Sequence, residues 1–285
     1  MQSNNPIFNR AGGFQRGGAP AYPASQQGYG DPSSWSIGSP DDPQAAQGGY
    51  GYAEPTPRMT VDSVVQKTGM TLGVVIITAL ATWILTPDLR GATEEQAGTV
   101  LLATMLGAGA AFILSLVNSF KKVISPALVL AFAVVEGVAL GGLSKLFDAQ
   151  FGDGIVTNAV LGTFAAFAGT LAAYKVFDIQ VGDKFRKGVI AAMFGMVGLG
   201  LMEMVLRMFN ADIGLFGFGA LGLIMSIAGL VLGIFMLLLD FDFVEQGVAN
   251  GLEERESWRA AFAMTVSLVW IYTNLLRILA IFSQD

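Results

Sequence analysis

Leu215 to Leu239 reads LFGFGALGLIMSIAGLVLGIFMLLL, twenty-five residues without a charge. A helix of about 20 apolar residues crosses the ~30 Å of bilayer hydrocarbon, so this stretch alone marks a membrane protein. It ends in Asp240-Phe241-Asp242, two carboxylates at the mouth of an uncharged span. Acids at such positions are costly to keep and mark ion paths or relays. Function is therefore sought there first.

Working outward, hydrophobic runs at about 69–87, 98–118, 125–147, 155–174, 188–209, 214–239 and 259–282 predict seven transmembrane helices, an all-α polytopic fold. Lys121-Lys122 separates the second and third runs, and Ser125-Pro126 opens the third with proline where a helix start tolerates it. The stretch 240–259 reads as the longest and most acidic loop. Gly107-Ala108-Gly109-Ala110-Ala111 and Gly195-Met196-Val197-Gly198-Leu199-Gly200 read as helix-packing surfaces, since no strand precedes them as a nucleotide loop requires.

Composition agrees. Of 285 residues 53% are hydrophobic and only 13% charged, against about 25% charged in soluble domains. A net charge of −6 without a basic patch excludes a nucleic-acid partner. The absence of Cys and His removes thiolate and imidazole chemistry, together with the usual metal ligands. Any response to pH then rests on carboxylates. No enzyme activity and no resident cofactor are expected.

Residues 1–62, rich in Gly, Pro, Ser and Gln, are read as a disordered cytosolic tail, and 63–285 as the membrane domain. The tail lacks the basic start and apolar core of a signal peptide, so the first span is expected to act as an uncleaved insertion signal. Twelve Lys and Arg fall in the tail and the loops after spans two, four and six, against four on the other side (Arg90, Lys145, Arg207, Arg277). By the positive-inside rule the N-terminus is expected in the cytosol and the C-terminus outside.

Glu136, Glu203 and Arg277 are the further ionisable residues inside the spans that bear on function. Glu136 sits in mid-span three with no cation on its own helix nearby. It is read as a pore or gate residue, or else as a protonated carboxyl bonded to neighbouring backbone. Glu203 is four residues before Arg207, the spacing of a same-face ion pair. Arg277 should lie at similar depth, so a pairing across spans five and seven is the alternative. Asp240 and Asp242 project about 200° apart on a helix, so only one is expected to face the interior.

Several stretches together resemble the Bax inhibitor-1 family, in particular a bacterial branch with a Gly-rich tail. They are Ser3-Asn4-Asn5-Pro6-Ile7-Phe8-Asn9, Ser125-Pro126-Ala127-Leu128-Val129 leading to Glu136-Gly137-Val138-Ala139-Leu140-Gly141, Leu237-Leu238-Leu239-Asp240-Phe241-Asp242-Phe243-Val244-Glu245 and Trp270-Ile271-Tyr272-Thr273-Asn274-Leu275-Leu276-Arg277-Ile278-Leu279. The resemblance covers about residues 60–285 besides the N-terminal motif. It implies six helices around the seventh, residence in the plasma membrane and a pH-sensitive calcium leak gated by aspartates on the sixth and seventh helices. The sixth-helix aspartate falls on Asp240, with Asp242 the near alternative. The seventh-helix position falls near Ser267, and span seven holds no carboxylate before Asp285.

The expected function is thus a leak for calcium or another cation, with Asp240 and Glu136 as transient oxygen ligands, Asp242 as deputy, and Glu203, Arg207 and Arg277 as a supporting ion pair. The rival expectation is a non-conducting regulatory protein that binds partner membrane proteins. An intramembrane protease with paired aspartates ranks third.

Overall fold

The computed structural model describes residues 57–285 except positions 153, 212 and 285, so the expectation of a disordered tail lies outside the described residues. Seven helices follow in order: α1 (Val61–Leu85), α2 (Glu94–Phe120), α3 (Pro126–Phe151), α4 (Ile155–Val176), α5 (Asp183–Met208), α6 (Ala220–Ala249) and α7 (Glu256–Phe282). Each is long and apolar enough to cross a membrane. At 1.5 Å per residue even the shortest, twenty-two residues, spans about 33 Å. The protein is an all-α polytopic membrane protein.

Local chemistry sets the helix starts. Thr60 and Ser63 exchange side-chain and backbone hydrogen bonds in a capping box, and Thr93 with Gln96 does the same for α2. The Thr60 box makes α1 begin eight residues before the expected run. Lys67, which precedes the expected run, is therefore a buried helix residue, and its Nζ lies 2.7 Å from Glu254 Oε1. At the other boundary, α6 begins later than expected and runs on to Ala249. Phe241, Phe243, Val244 and Val248 continue its apolar faces among the acids, so the loop expected from 240 shrinks to 250–255.

Within the helices, hydroxyls bond to their own backbone. Thr71, Thr104, Ser144, Thr163, Ser226 and Thr265 each donate to the carbonyl four residues earlier. This satisfies polar side chains where no water reaches. Large apolar side chains such as Ile77, Leu106, Ile113 and Phe194 stay outward, a surface suited to lipid and unsuited to water.

α7 occupies the middle. It packs directly on α1, α3, α4 and α6, while α2 reaches the bundle through α3 and α5 through α6. Side chains of α7 enter all four buried apolar clusters: Met264 and Ile271 in one, Tyr272 and Leu276 in the second, Phe262 in the third, Val266 and Trp270 in the fourth. Close approach depends on missing Cβ atoms. A Cβ on Gly141 of α3 would stand 2.5 Å from the Ala79 carbonyl oxygen of α1, and one on Gly233 of α6 would stand 2.6 Å from Ile271 Cγ1 of α7. Of the two glycine runs read as packing surfaces, Gly107 does meet Ala139. Gly195 and Gly198 face open space, because α5 touches only α6.

The ends of the bundle differ. Arg259 Nη2 donates to the Lys122 carbonyl at 2.9 Å, Ser63 and Ser257 share a 2.7 Å hydrogen bond, and Lys67 pairs with Glu254. These contacts gather the starts of α1 and α7 and the loops after α2 and α6 at one basic end. Residues 57–59 close it. Met59 N donates to the Leu252 carbonyl and Glu254 N to the Pro57 carbonyl, both at 2.7 Å.

Replacing Gly141 tests the α1–α3 approach. Gly141→Leu should lower the melting temperature of the detergent-solubilised protein by several degrees, from an overpacking cost of about 1–3 kcal/mol. Gly198→Ala, made in open space, should leave it unchanged.

Candidate functional site

The second half of α6 carries three acids, and each goes to a different helix. Asp240 lies nine residues before the end of α6, about 14 Å along the axis. Its Oδ2 accepts a 2.6 Å hydrogen bond from Ser267 Oγ of α7, and both residues are buried. Asp242 Oδ2 accepts from Arg186 Nη2 of α5 at 2.6 Å, and Gln246 Nε2 approaches both Asp242 oxygens at 2.9 and 2.8 Å. Glu245 Oε2 accepts from the Tyr174 hydroxyl of α4 at 2.6 Å.

Two expectations are corrected here. Asp240 is not at a helix mouth, since α6 continues past it for more than two turns. Nor does only one of the two aspartates turn inward: Asp240 is 9% exposed and Asp242 6%. Their 200° separation holds, but α6 is flanked by α7 on one side and by α4 and α5 on the other. Both directions are therefore interior.

The electrostatics of the two aspartates differ accordingly. Asp242 has a cation against it, with the Arg186 side chain 40% exposed toward the basic end. Asp240 has a neutral hydroxyl and no cation among the described residues. Met59, Val64, Phe241, Val244, Ala260 and Met264 belong to one buried apolar cluster between Asp240 and that end. The carboxyl is shut away from water on that side.

Glu136 stands ten residues into α3 and is half-buried, with no hydrogen bond or ion pair among the described residues. Around the helix axis it lies between Phe132 and Leu140. Phe132 meets Phe262 edge-on with centroids 5.1 Å apart, and Leu140 clusters with Tyr272 and Leu276. Glu136 thus sits on the α3 face that packs toward α7, without touching Asp240 or Asp242.

Glu203 is 2% exposed and receives Arg207 Nη2 at 3.0 Å, Leu215 N at 2.9 Å and Phe216 N at 3.3 Å. It anchors the turn that leads into α6. Arg277 joins this cluster without a direct ion pair, its guanidinium lying 5.1 Å from the Phe216 ring centroid. The Glu203 oxygens are already occupied, which leaves Arg277 the aromatic face. Arg186, Tyr174 and Gln246 escaped sequence reasoning. The only signal was Arg186 lying in the most basic loop, which becomes the first turn of α5. Among the described residues no three acidic side chains converge on a point that could hold a metal.

A seven-helix membrane bundle with buried acids around its last helix defines the class. Sequence comparison places it more closely. The family model described as Bax inhibitor 1 like matches residues 5–284, so the chain belongs to that family. An uncharacterized protein of Chlamydia muridarum (strain MoPn / Nigg) is 26% identical over 158 residues, which cover 54% of this chain and 63% of that protein.

The anchor at Glu203 can be tested directly. Glu203→Ala strips the Leu215 and Phe216 amides of their acceptor and should cost about 1–3 kcal/mol. Thermal unfolding in detergent should show it, while Asp240→Asn, which keeps an acceptor for Ser267, should melt near wild type.

Proposed function

We propose that this protein is a cation leak, with calcium the first candidate ion, and that the contact between Asp240 and Ser267 is its gate. The observation that carries the reading is a buried carboxylate deep in the bundle, held to the central helix by a single hydrogen bond. Calcium takes oxygen ligands, and Asp240, Asp242 and Glu136 are acids set into the apolar spans α6 and α3. In this reading Asp240 holds α6 against α7 when the path is closed, and release of that contact opens a route past Met264 and Val244. Glu136, half-buried on the opposite wall, is a pore residue. Membership of the Bax inhibitor 1-like family supports membrane transport or regulation as the broader frame. The basic end is assigned to the cytosol by its Lys and Arg excess, and the membrane to the plasma membrane.

The position opposite Asp240 shapes the pH response. Two adjacent carboxylates cannot both ionise cheaply and come to share a proton. A serine opposite one carboxylate lacks that like-charge repulsion.

The test is calcium flux through purified full-length protein in liposomes, scanned from pH 5 to pH 8. Asp240→Asn should change the open fraction and Glu136→Gln should lower flux several-fold. Ser267→Asp, which rebuilds the pair, should make the pH dependence steeper than wild type. Flux that ignores both Asp240→Asn and Glu136→Gln would remove these residues from the path. Absence of flux at every pH would give the function to partner binding.

A further inference from the structure

α1 and α4 flank α7 without meeting. No Cα of one comes within 8 Å of the other. The gap is a furrow with a cavity of about 290 Å³, floored by Leu140 and Tyr272 and walled by Ala79 and Leu80 of α1 and Val160 and Phe164 of α4. Its few hydroxyls are already engaged: Ser144 and Tyr272 with each other at 2.6 Å, Thr163 with the Ala159 carbonyl. The rims are open, with Leu80 56% and Phe164 49% exposed. Because the walls belong to membrane-spanning helices, that opening faces hydrocarbon. Lipid exerts no hydrophobic pressure to squeeze such a gap shut.

Length and polarity identify the occupant. The lining runs on α1 from Leu72 to Trp83, about 16 Å of helix. That is roughly half of the ~30 Å hydrocarbon layer, the depth of one leaflet. Trp83 also borders a second, polar recess of about 510 Å³ that contains Asp88, Arg90, Lys145 and Asp148. Tryptophan at this level is the mark of a membrane interface. Arg90 Nη2 lies 3.0 Å from Asp148 Oδ2, and Lys145 Nζ donates to the Trp83 and Thr86 carbonyls at the end of α1. Two cations and two carboxylates give the recess both signs and no net charge.

We infer that the α1–α4 furrow binds one acyl chain of a membrane phospholipid, whose zwitterionic headgroup sits in the recess beyond Trp83. A single apolar slot one leaflet deep, sharing Trp83 with a dipolar pocket at headgroup level, fits a phospholipid better than a free fatty acid or a soluble apolar ligand. The site does not depend on ion conduction.

The experiment reconstitutes the full chain in liposomes of phosphatidylcholine with a trace of phosphatidylcholine bearing a photoactivatable acyl chain, then maps adducts by mass spectrometry. Adducts on Ala79, Val160 and Phe164 should exceed by at least fivefold those on Ile113 of α2 and Phe194 of α5, which are at least as exposed. Val160→Trp, filling the furrow, should remove that excess. Should this variant fold poorly, the bilayer decides for the wild type: with phosphatidylglycerol in place of the unlabelled phosphatidylcholine, furrow labelling by the trace probe should rise several-fold. Even labelling over all lipid-facing helices would mean ordinary annular lipid and overturn the site. Furrow labelling that is equal in the two bilayers would overturn the zwitterionic recess.

Discussion

A helix buried on all sides in a bilayer cannot be polar on any face by default, because nothing outside will hydrate it. α7 meets this constraint and still carries polar groups, and the rest of the bundle is arranged around how they are met. Thr265 turns back to its own backbone, and Ser257, Ser267 and Tyr272 reach α1, α6 and α3 in turn. Trp270 donates to the Gly229 carbonyl, where α6 has no side chain to hold α7 away. Three of the four neighbours of α7, namely α1, α3 and α6, are tied to it by such contacts, while α4 meets it through apolar side chains.

The same economy explains the acids of α6. Asp240, Asp242 and Glu245 point to α7, α5 and α4, so one stretch of six residues ties α6 to three helices. The ties differ in kind. Asp242 has a guanidinium beside it and Glu245 is exposed, so both meet the charge of an ionised acid with a cation or with water. Asp240 alone is buried against a neutral donor. Of the three it is the one carboxyl that neither a cation nor water meets, and it is the one that faces the central helix.

Much of this was legible in the sequence. Seven runs of apolar residues give seven helices because hydrocarbon thickness fixes their length, a constraint that needs no tertiary information. Ser267 was reachable only through the family resemblance, which implies a position on span seven that falls there. The extension of α6 was not, because acids at 240, 242 and 245 read as a loop until their partners are known, and those partners lie on other helices. The burial of both aspartates was hidden for the same reason: helix geometry gives the angle between two side chains and says nothing of how many neighbours surround the helix. The glycine run at 195–200 shows the converse error. Small residues permit close packing, but α5 has no helix against that face to accept it.

The serine opposite Asp240 has a consequence of its own. A hydroxyl both donates and accepts, so it donates to an ionised carboxylate and still bonds a protonated one. A carboxylate in that place would bond to Asp240 only by sharing a proton, since two negative oxygens in a dry interior repel strongly. With Ser267 the α6–α7 contact needs no proton to form. The α6–α7 interface around it is packed by Met264, Leu268 and Ile271 against Leu237 and Phe241, and the hydrogen bond fixes its register. The two other acid ties of α6, to Arg186 and Tyr174, lie nearer the basic end than Asp240 does, so that end of α6 is held to α5 and α4 and the stretch before it to α7.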